Sequence, residues 1–419
     1  MTFFSKKLNS AALCLSLSVG AIASPTAPHQ SVLAVNKNAW LVQQINQHPD
    51  IISAQASLKA AFSSAEGQKK ALYNPELSTD VAREGDFTNF TVGISQTIDL
   101  WDKRAVRSLQ ADASLQLAQQ NFNYLVQEKT AQALQAIITW QAANKLAVIA
   151  AAQEQQLGTL LDLVAKLQKV GDLGQVDAEL TFLSLSQTLN ETAQAQVRLK
   201  QAQAQLAELL PDWTPKMKVF PAQGLPLANQ QNSIIMQQWL AQHPLVLAAK
   251  AQWQANKGNA QQAQLTTKAD PTIGLNAGKD GGDNSIGLTF SMPLNVRNNF
   301  SAEARAANQQ AIAAEANYRA VFRQQKFAIQ ASLDTLNTYQ KSYQRWSTLM
   351  QGRGKRSENL LQKQWQSGDM STTQYLLALQ QRASGLNAGI ELQSQFKLSQ
   401  IDWLLQVGQI NNAVKLLVK

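Results

Sequence analysis

Cysteine is almost absent from this 419-residue chain, and its single thiol lies near the N-terminus. Cys14 falls within an apolar run that follows Lys6 and Lys7 and ends in Ala21-Ile22-Ala23. A basic start, an apolar stretch and a small-residue end are typical of a cleaved export signal, so we expect a signal peptide over residues 1–23. The expected mature chain then has no thiol for a disulfide, a metal site or a nucleophile.

Long apolar runs are also missing after residue 23. No later stretch reaches the roughly 18 to 20 apolar residues that a membrane-spanning helix needs. If the mature chain crosses a membrane, strands closed into a barrel must do so.

Residue patterns typical of active sites or metal sites are also scarce. His29, His48 and His243 are scattered, and neither a serine elbow nor a pair of catalytic carboxylates stands out. We therefore expect no enzyme activity, no cofactor and no dedicated metal site.

Acidic residues are fewer than basic ones, which gives a formal charge of +9. The charge becomes +7 once Lys6 and Lys7 are removed, because residues 1–23 contain no Asp or Glu. An exported chain rarely meets nucleic acid, so we expect no nucleic-acid partner. The basic balance instead indicates solvated helix faces, some of them near anionic lipid headgroups.

What the chain does contain is a duplication at an offset of about 195 residues. The landmarks that recur in the same order are His48-Pro49 with His243-Pro244, Asn74-Pro75 with Asp270-Pro271, and Gly171-Asp172 with Gly368-Asp369. We expect a first repeat over 24–210, an irregular proline-rich linker over 211–230, a second repeat over 231–408 and a tail over 409–419.

Each repeat contains a segment in which apolar and polar residues alternate, and this pattern predicts β-hairpins over 76–99 and 272–293. One interpretation is a pair of half-buried hairpins on a soluble core. The alternative is a membrane barrel, which the export signal, the strand length and the polar inward faces favour. Four strands cannot close a barrel alone, so such a barrel must be shared between chains.

Outside the hairpins the period of the pattern is that of a helix. We expect helices over 36–72, 102–169, 176–209, 301–366 and 371–407, with Asn36 as the first cap. The two longest runs contain no proline and would each rise by roughly 100 Å. Gly352 and Gly354 interrupt the second of them and predict a flexible joint.

With these elements in order, the chain resembles the TolC-like outer-membrane factors of efflux and secretion systems. The resemblance covers roughly residues 36–408, and it depends on the order of elements together with Asn74-Pro75-Glu76-Leu77, Ser95-Gln96, Leu100 and the Gly-Asp pairs. The run 96–107 is similar to the cobalt-zinc-cadmium branch of heavy-metal efflux.

The resemblance implies a mainly α fold with a small β part, in which long helical hairpins form a periplasmic tunnel. It also implies a homotrimer whose four strands per chain build a 12-stranded β-barrel in the outer membrane of a Gram-negative bacterium. The implied partners are outer-membrane lipid, a periplasmic adaptor and an inner-membrane pump of the RND type. The implied function is passive efflux of metal cations, or of drugs. A type I protein secretion channel, or an exported coiled-coil structural protein without a pore, remains the alternative.

The same resemblance assigns roles to residues at the helix ends. The adaptor-docking tips would be Gly171, Asp172 and Gly174 in the first repeat and Gly368 and Asp369 in the second.

Family members also close the periplasmic aperture near these tips. An acidic residue that pairs with a basic one corresponds to Asp177, but its basic partner corresponds to Met370. Trp365 corresponds to an aromatic constraint, and two acidic constriction residues correspond to Gln374 and Leu377. At the junction of barrel and tunnel, Lys103, Arg104 and Arg107 would contact lipid phosphates or a neighbouring chain, or would simply be helix-surface charges.

Overall fold

The computed structural model describes residues 37–170, 174–215, 217, 233–281, 283–351 and 353–416. The expected signal segment 1–23, the cap Asn36, the tip residues Gly171 and Asp172, and most of the linker 211–230 lie outside the described residues.

The described elements run twice in the same order. The first repeat contains α1 (Lys37–Gln47), α2 (Pro49–Lys69), β1 (Glu76–Glu84), β2 (Phe87–Thr97), α3 (Lys103–Lys169) and α4 (Gln175–Leu209). The second contains α5 (Ser233–Gln242), α6 (Pro244–Thr266), β3 (Thr272–Asp280), β4 (Asp283–Ser291), α7 (Ser301–Met350), α8 (Arg353–Gln366) and α9 (Thr372–Gln406), and α10 (Ile410–Leu416) follows in the tail.

The single helix expected over 36–72 is wrong, because the chain breaks at His48 between α1 and α2. Pro49 has no N–H to donate into α1, and it sits instead at the start of α2, where that donor is not needed. His48 has an extended backbone, and its Nδ1 accepts a hydrogen bond of 3.2 Å from the Asp50 N–H. His243 caps α6 before Pro244 in the same way.

The two longest helical runs differ between the repeats. α3 continues unbroken for 67 residues, a rise of about 100 Å. Its counterpart is divided into α7 and α8, because Gln351 leaves the helical region with φ −58° and ψ 117°. The sequence predicted a joint at Gly352 and Gly354, directly after this break, and Gly352 lies outside the described residues.

Packing is organised around α3, which contacts α2 and α4 of its own repeat and α6 and α9 of the second. The main apolar core lies around the middle of α3, where Leu134 and Ile137 meet Ile401 and Trp403 near the end of α9. A second cluster joins Leu157 and other α3 side chains to α9 near the helix ends.

Trp346 of α7 packs unusually close to the backbone of α9. Its Nε1 donates a hydrogen bond of 3.1 Å to the Gly385 carbonyl, and its ring covers Gly389. A Cβ added at Gly389 would lie 1.8 Å from the ring, so only glycine fits there.

The four strands form one antiparallel sheet in the order β1-β2-β3-β4. The central pair, β2 with β3, joins the two repeats, with Ile94 opposite Leu275 and Gly93 opposite Asn276. Along the described chain, β1 and β4 are therefore the two edges of the sheet.

Candidate functional site

The sheet has two chemically different faces. Residues that stand opposite each other in an antiparallel ladder share a face, so the register assigns every strand position to one side. On one face Leu77, Ile94, Leu275 and Leu288 form a continuous row across all four strands. Their side chains are exposed, to 82% for Leu288, so this face is apolar and uncovered within the chain.

The opposite face is lined by small and polar residues. The row directly behind the apolar one is Ser78, Gly93, Asn276 and Gly287. Neighbouring side chains lean over its glycines, since a Cβ added at Gly287 would lie 2.5 Å from Asn276 Oδ1. The glycines therefore let polar side chains lie flat on this face.

Charge is sorted between the two faces by sign. In the register of the four strands, every carboxylate falls on the polar face and both basic residues fall on the apolar face. The carboxylates are those of Glu76, Asp80, Glu84, Asp280 and Asp283, and the basic residues are Arg83 and Lys279. All charged strand residues on the polar face are therefore negative.

An ion pair between the repeats fixes the position where the sheet meets the helices. Lys103, at the start of α3, places its Nζ 2.9 Å from Asp270 Oδ2, just before β3. The Tyr73 hydroxyl donates to the same oxygen at 2.8 Å. The Asp270 side chain is 3% exposed and that of Lys103 is 14% exposed, so the pair is buried.

Burial, reinforced by the Asp270 carboxylate, raises the pKa of the Tyr73 phenol to about 12. Tyr73 therefore remains a hydrogen-bond donor at every physiological pH. The other carboxylate oxygen, Asp270 Oδ1, is buried and accepts no hydrogen bond from a described residue. The junction depends on Lys103 and Tyr73 to compensate this charge.

The remaining basic residues of the expected junction make local contacts. Arg104 Nε donates to the Lys69 carbonyl at 2.9 Å, which ties α3 to the end of α2. The Asp99 carboxylate accepts hydrogen bonds from the backbone N–H groups of Lys103 and Arg104, so it caps the start of α3. Arg107 lies one turn further along α3 and is partly buried.

Of the expected adaptor-docking tips, the second is described in full. Gly368 has φ +81°, a conformation that favours glycine, and it ends the α8 segment. Asp369 accepts a hydrogen bond of 2.7 Å from Ser367 Oγ, as expected of a turn residue. In the first tip only Gly174 is described, and it precedes α4 with an ordinary φ of −71°.

Asp177 connects the first turn of α4 to the first turn of α9. Its Oδ1 accepts a hydrogen bond of 3.1 Å from Thr373 Oγ1, on the first turn of α9. The counterpart of the family's basic residue, Met370, packs against the apolar cluster near the helix ends instead. Within the described chain, a neutral hydroxyl thus contacts Asp177 at the place where the resemblance implies a cation.

The other aperture candidates stabilise α9. Trp365 stacks on Tyr375, with ring centroids 5.1 Å apart and planes at 8°, and its Nε1 donates to Thr372 Oγ1. Gln374 forms a capping box with Ser371. Leu377, at the other constriction position, is 55% exposed.

Some of these contacts could not be read from the sequence. The partners Tyr73 and Asp270 are 197 residues apart, and Asp177 and Thr373 are 196 apart. One indication of a special role for Asp270 was present in the sequence, because the equivalent position in the first repeat holds the neutral Asn74. The separation of acidic and basic residues onto opposite faces of the sheet could be read from the alternation of residues along each strand.

None of the helices in the described segments is long and apolar enough to span a membrane. Among the described side chains, no group of three or more His, Cys, Asp or Glu residues is placed to hold a metal ion.

Comparison with known proteins agrees with this architecture. Residues 40–211 match the family model of the outer membrane efflux proteins. No curated protein matches the chain.

Several solved structures share the fold over most of the chain. The CmeC outer membrane channel of Campylobacter jejuni is 14% identical with a TM-score of 0.72, over 92% of this chain and 89% of that one. The outer membrane protein VceC of Vibrio cholerae is 15% identical with a TM-score of 0.72, over 89% and 96%. The open state of the MtrE outer membrane channel of Neisseria gonorrhoeae is 14% identical with a TM-score of 0.70, over 89% of each chain. Residues 40–211 of the chain are thus similar to the outer membrane efflux proteins, and most of the chain shares its fold with solved outer-membrane channels.

Proposed function

We propose that three copies of this chain form the outer-membrane channel of a tripartite efflux system that exports metal cations. Cationic drugs are the second cargo class. Energy comes from an inner-membrane pump of the RND type, and a periplasmic adaptor docks at the helix ends around 171–174 and 368–369. The channel itself conducts passively.

The free edges of the sheet support assembly from several copies. β1 and β4 each pair with one strand only in the described chain, so each leaves a row of backbone groups unpaired. Because the four strands alternate in direction, β4 of one copy can pair antiparallel with β1 of the next. Three copies give twelve strands, which exceeds the roughly eight needed to close a barrel.

The charge sorting of the sheet is the observation that carries the cation proposal. If the apolar face meets lipid, the polar face lines the conduit, and all its charged strand residues are acidic. Rings of carboxylates attract cations and raise their local concentration. A conduit that conducts cations needs no dedicated metal ligands along its wall.

Ion selectivity tests this proposal directly. We expect the purified protein in planar bilayers to give a reversal potential for a salt gradient that favours cations. The variant Glu76→Gln/Asp80→Asn/Glu84→Gln removes three carboxylates per copy and should move the cation-to-anion permeability ratio toward one. Arg83→Gln is the matched control, because it changes a charge in the same strand on the opposite face. An equal shift in both variants would refute the assignment of the faces.

Cargo is tested in cells. Disruption of the gene should sensitise the bacterium to metal salts, and complementation with the wild-type chain should restore resistance. Sensitivity to antibiotics alone would replace metal cations by drugs as the cargo. If disruption changes the sensitivity to neither metal salts nor antibiotics, while the purified protein still conducts ions in bilayers, efflux is excluded and protein secretion remains.

A further inference from the structure

The two basic residues of the sheet occupy one end of its apolar face. Arg83 stands opposite Thr88 near the first hairpin turn, and Lys279 stands opposite Phe90 near the second. Both side chains are exposed, and neither forms a hydrogen bond or an ion pair with a described residue. The rest of this face, toward the helices, carries no charged strand residue.

Their isolation follows from the register. The nearest carboxylates in sequence, Glu84 and Asp280, are adjacent to them but point to the other side of the sheet. Asp280 also accepts a hydrogen bond of 3.0 Å from Asn89 Nδ2 on that side. The apolar face thus offers these two cations no counter-charge from its own strands.

The position of this end in the membrane identifies the counter-charge. This inference rests on the proposed function: with the sheet in the outer membrane and the helices in the periplasm, the hairpin turns at Gly85 and Gly281 lie at the ends of the strands farthest from the periplasm. The end of the apolar face near these turns therefore meets the headgroups of the outer leaflet. A guanidinium binds phosphate oxygens in a bidentate manner, and an ammonium binds them as a point charge.

We propose that Arg83 and Lys279 form a phosphate-binding rim that holds phosphorylated glycolipid of the outer leaflet against the sheet. The two residues lie on β1 and β3, two strands apart, and their partners Thr88 and Phe90 are two residues apart along β2. Strand spacings of about 4.8 Å and a rise of about 3.4 Å per residue place their Cα atoms roughly 12 Å apart. This separation lets each residue contact its own phosphate group, while Phe90 between them faces the acyl boundary.

Lipid retention by the purified, detergent-solubilised protein tests the proposal. The probes are diphosphorylated lipid A and its dephosphorylated form, and bound lipid is counted by native mass spectrometry. The wild type should retain the phosphorylated lipid more strongly. Each lost charge should weaken this retention about fivefold, so Arg83→Gln/Lys279→Gln should weaken it about 25-fold.

Two further variants separate a charge effect from a structural one. Arg83→Lys/Lys279→Arg exchanges the cations and should retain the lipid, whereas Arg198→Gln/Lys200→Gln neutralises two exposed residues of α4 and should change nothing. Equal retention of both lipids, or an unchanged affinity in the neutralised sheet variant, overturns the proposal. Full displacement by millimolar inorganic phosphate would identify a free-phosphate site and also overturn it.

Discussion

The buried ion pair at the junction of sheet and helices offers the sharpest test of the structure. Replacing Asp270 by Asn keeps the shape of the side chain, and Asn74 occupies the equivalent place in the first repeat. The substitution removes the charge that Lys103 Nζ and the Tyr73 hydroxyl contact at 2.9 and 2.8 Å. It leaves a buried ammonium whose only other described partner is the Lys268 carbonyl, at 2.7 Å.

The size of the effect follows from the burial of the two partners. Removing one member of a buried pair costs about 3 to 5 kcal/mol, because the other charge is left without compensation. Lys103 is 14% exposed and keeps one carbonyl, so Asp270→Asn should cost about 3 kcal/mol. Asp270 is only 3% exposed, so Lys103→Gln should cost more.

Thermal unfolding in detergent, followed by tryptophan fluorescence, measures these losses. At about 2 °C per kcal/mol, Asp270→Asn should lower the Tm by about 6 °C. The double variant Lys103→Gln/Asp270→Asn should unfold at a higher temperature than Lys103→Gln alone, because no charge remains uncompensated. A double variant whose loss equals the sum of the two single losses would refute the reasoning.

Three other perturbations have defined outcomes. Gly389→Ala should lower stability by about 1 to 3 kcal/mol, because the added Cβ would overlap the Trp346 ring. The control Gly385→Ala places its Cβ in open space, so it should be neutral or slightly stabilising in the same melting assay. Burial lowers the pKa of the His243 imidazole from its ordinary value of 6.5. The contribution of His243 to stability should therefore be complete above about pH 6.5 and should fall as the pH drops from there to the folded-state pKa. His243→Asn should keep the helix cap and flatten this part of the curve of Tm against pH. Gly368→Trp, at φ +81°, should abolish resistance while the assembled size on native gels stays unchanged, and normal resistance would remove this tip from the docking proposal.

The periodicity of the sequence predicts the fold class correctly, since the hairpins and long helices are all local patterns. The strand alternation around Leu77 and Leu275 needs no distant partner to be recognised. The break at His48 was missed because a proline at the start of a helix and a proline inside one look alike in a run of helix-forming residues. The observed geometry at His48 decides between them.

The contacts of the site were harder to predict, for a physical reason. Lys103 was recognised as a junction residue, but its partner Asp270 is set by the packing of two repeats that no local pattern reports. Trp365 was expected near the aperture, yet its stacking on Tyr375 depends on how α8 returns to α9. Local periodicity identifies elements, whereas pairings between repeats require the assembled chain.

The segregation of charge in the strands also guards against mispairing. Because strand side chains alternate with a period of two, a slip of one residue would exchange every inward position for an outward one. In the proposed barrel, Asp80 and the other carboxylates of the polar face would then enter hydrocarbon, where each ionised group costs several kcal/mol, while Leu77 and Leu288 would face water. If the strands insert as proposed, hairpins in the wrong register are therefore disfavoured, because the charge pattern itself opposes their insertion.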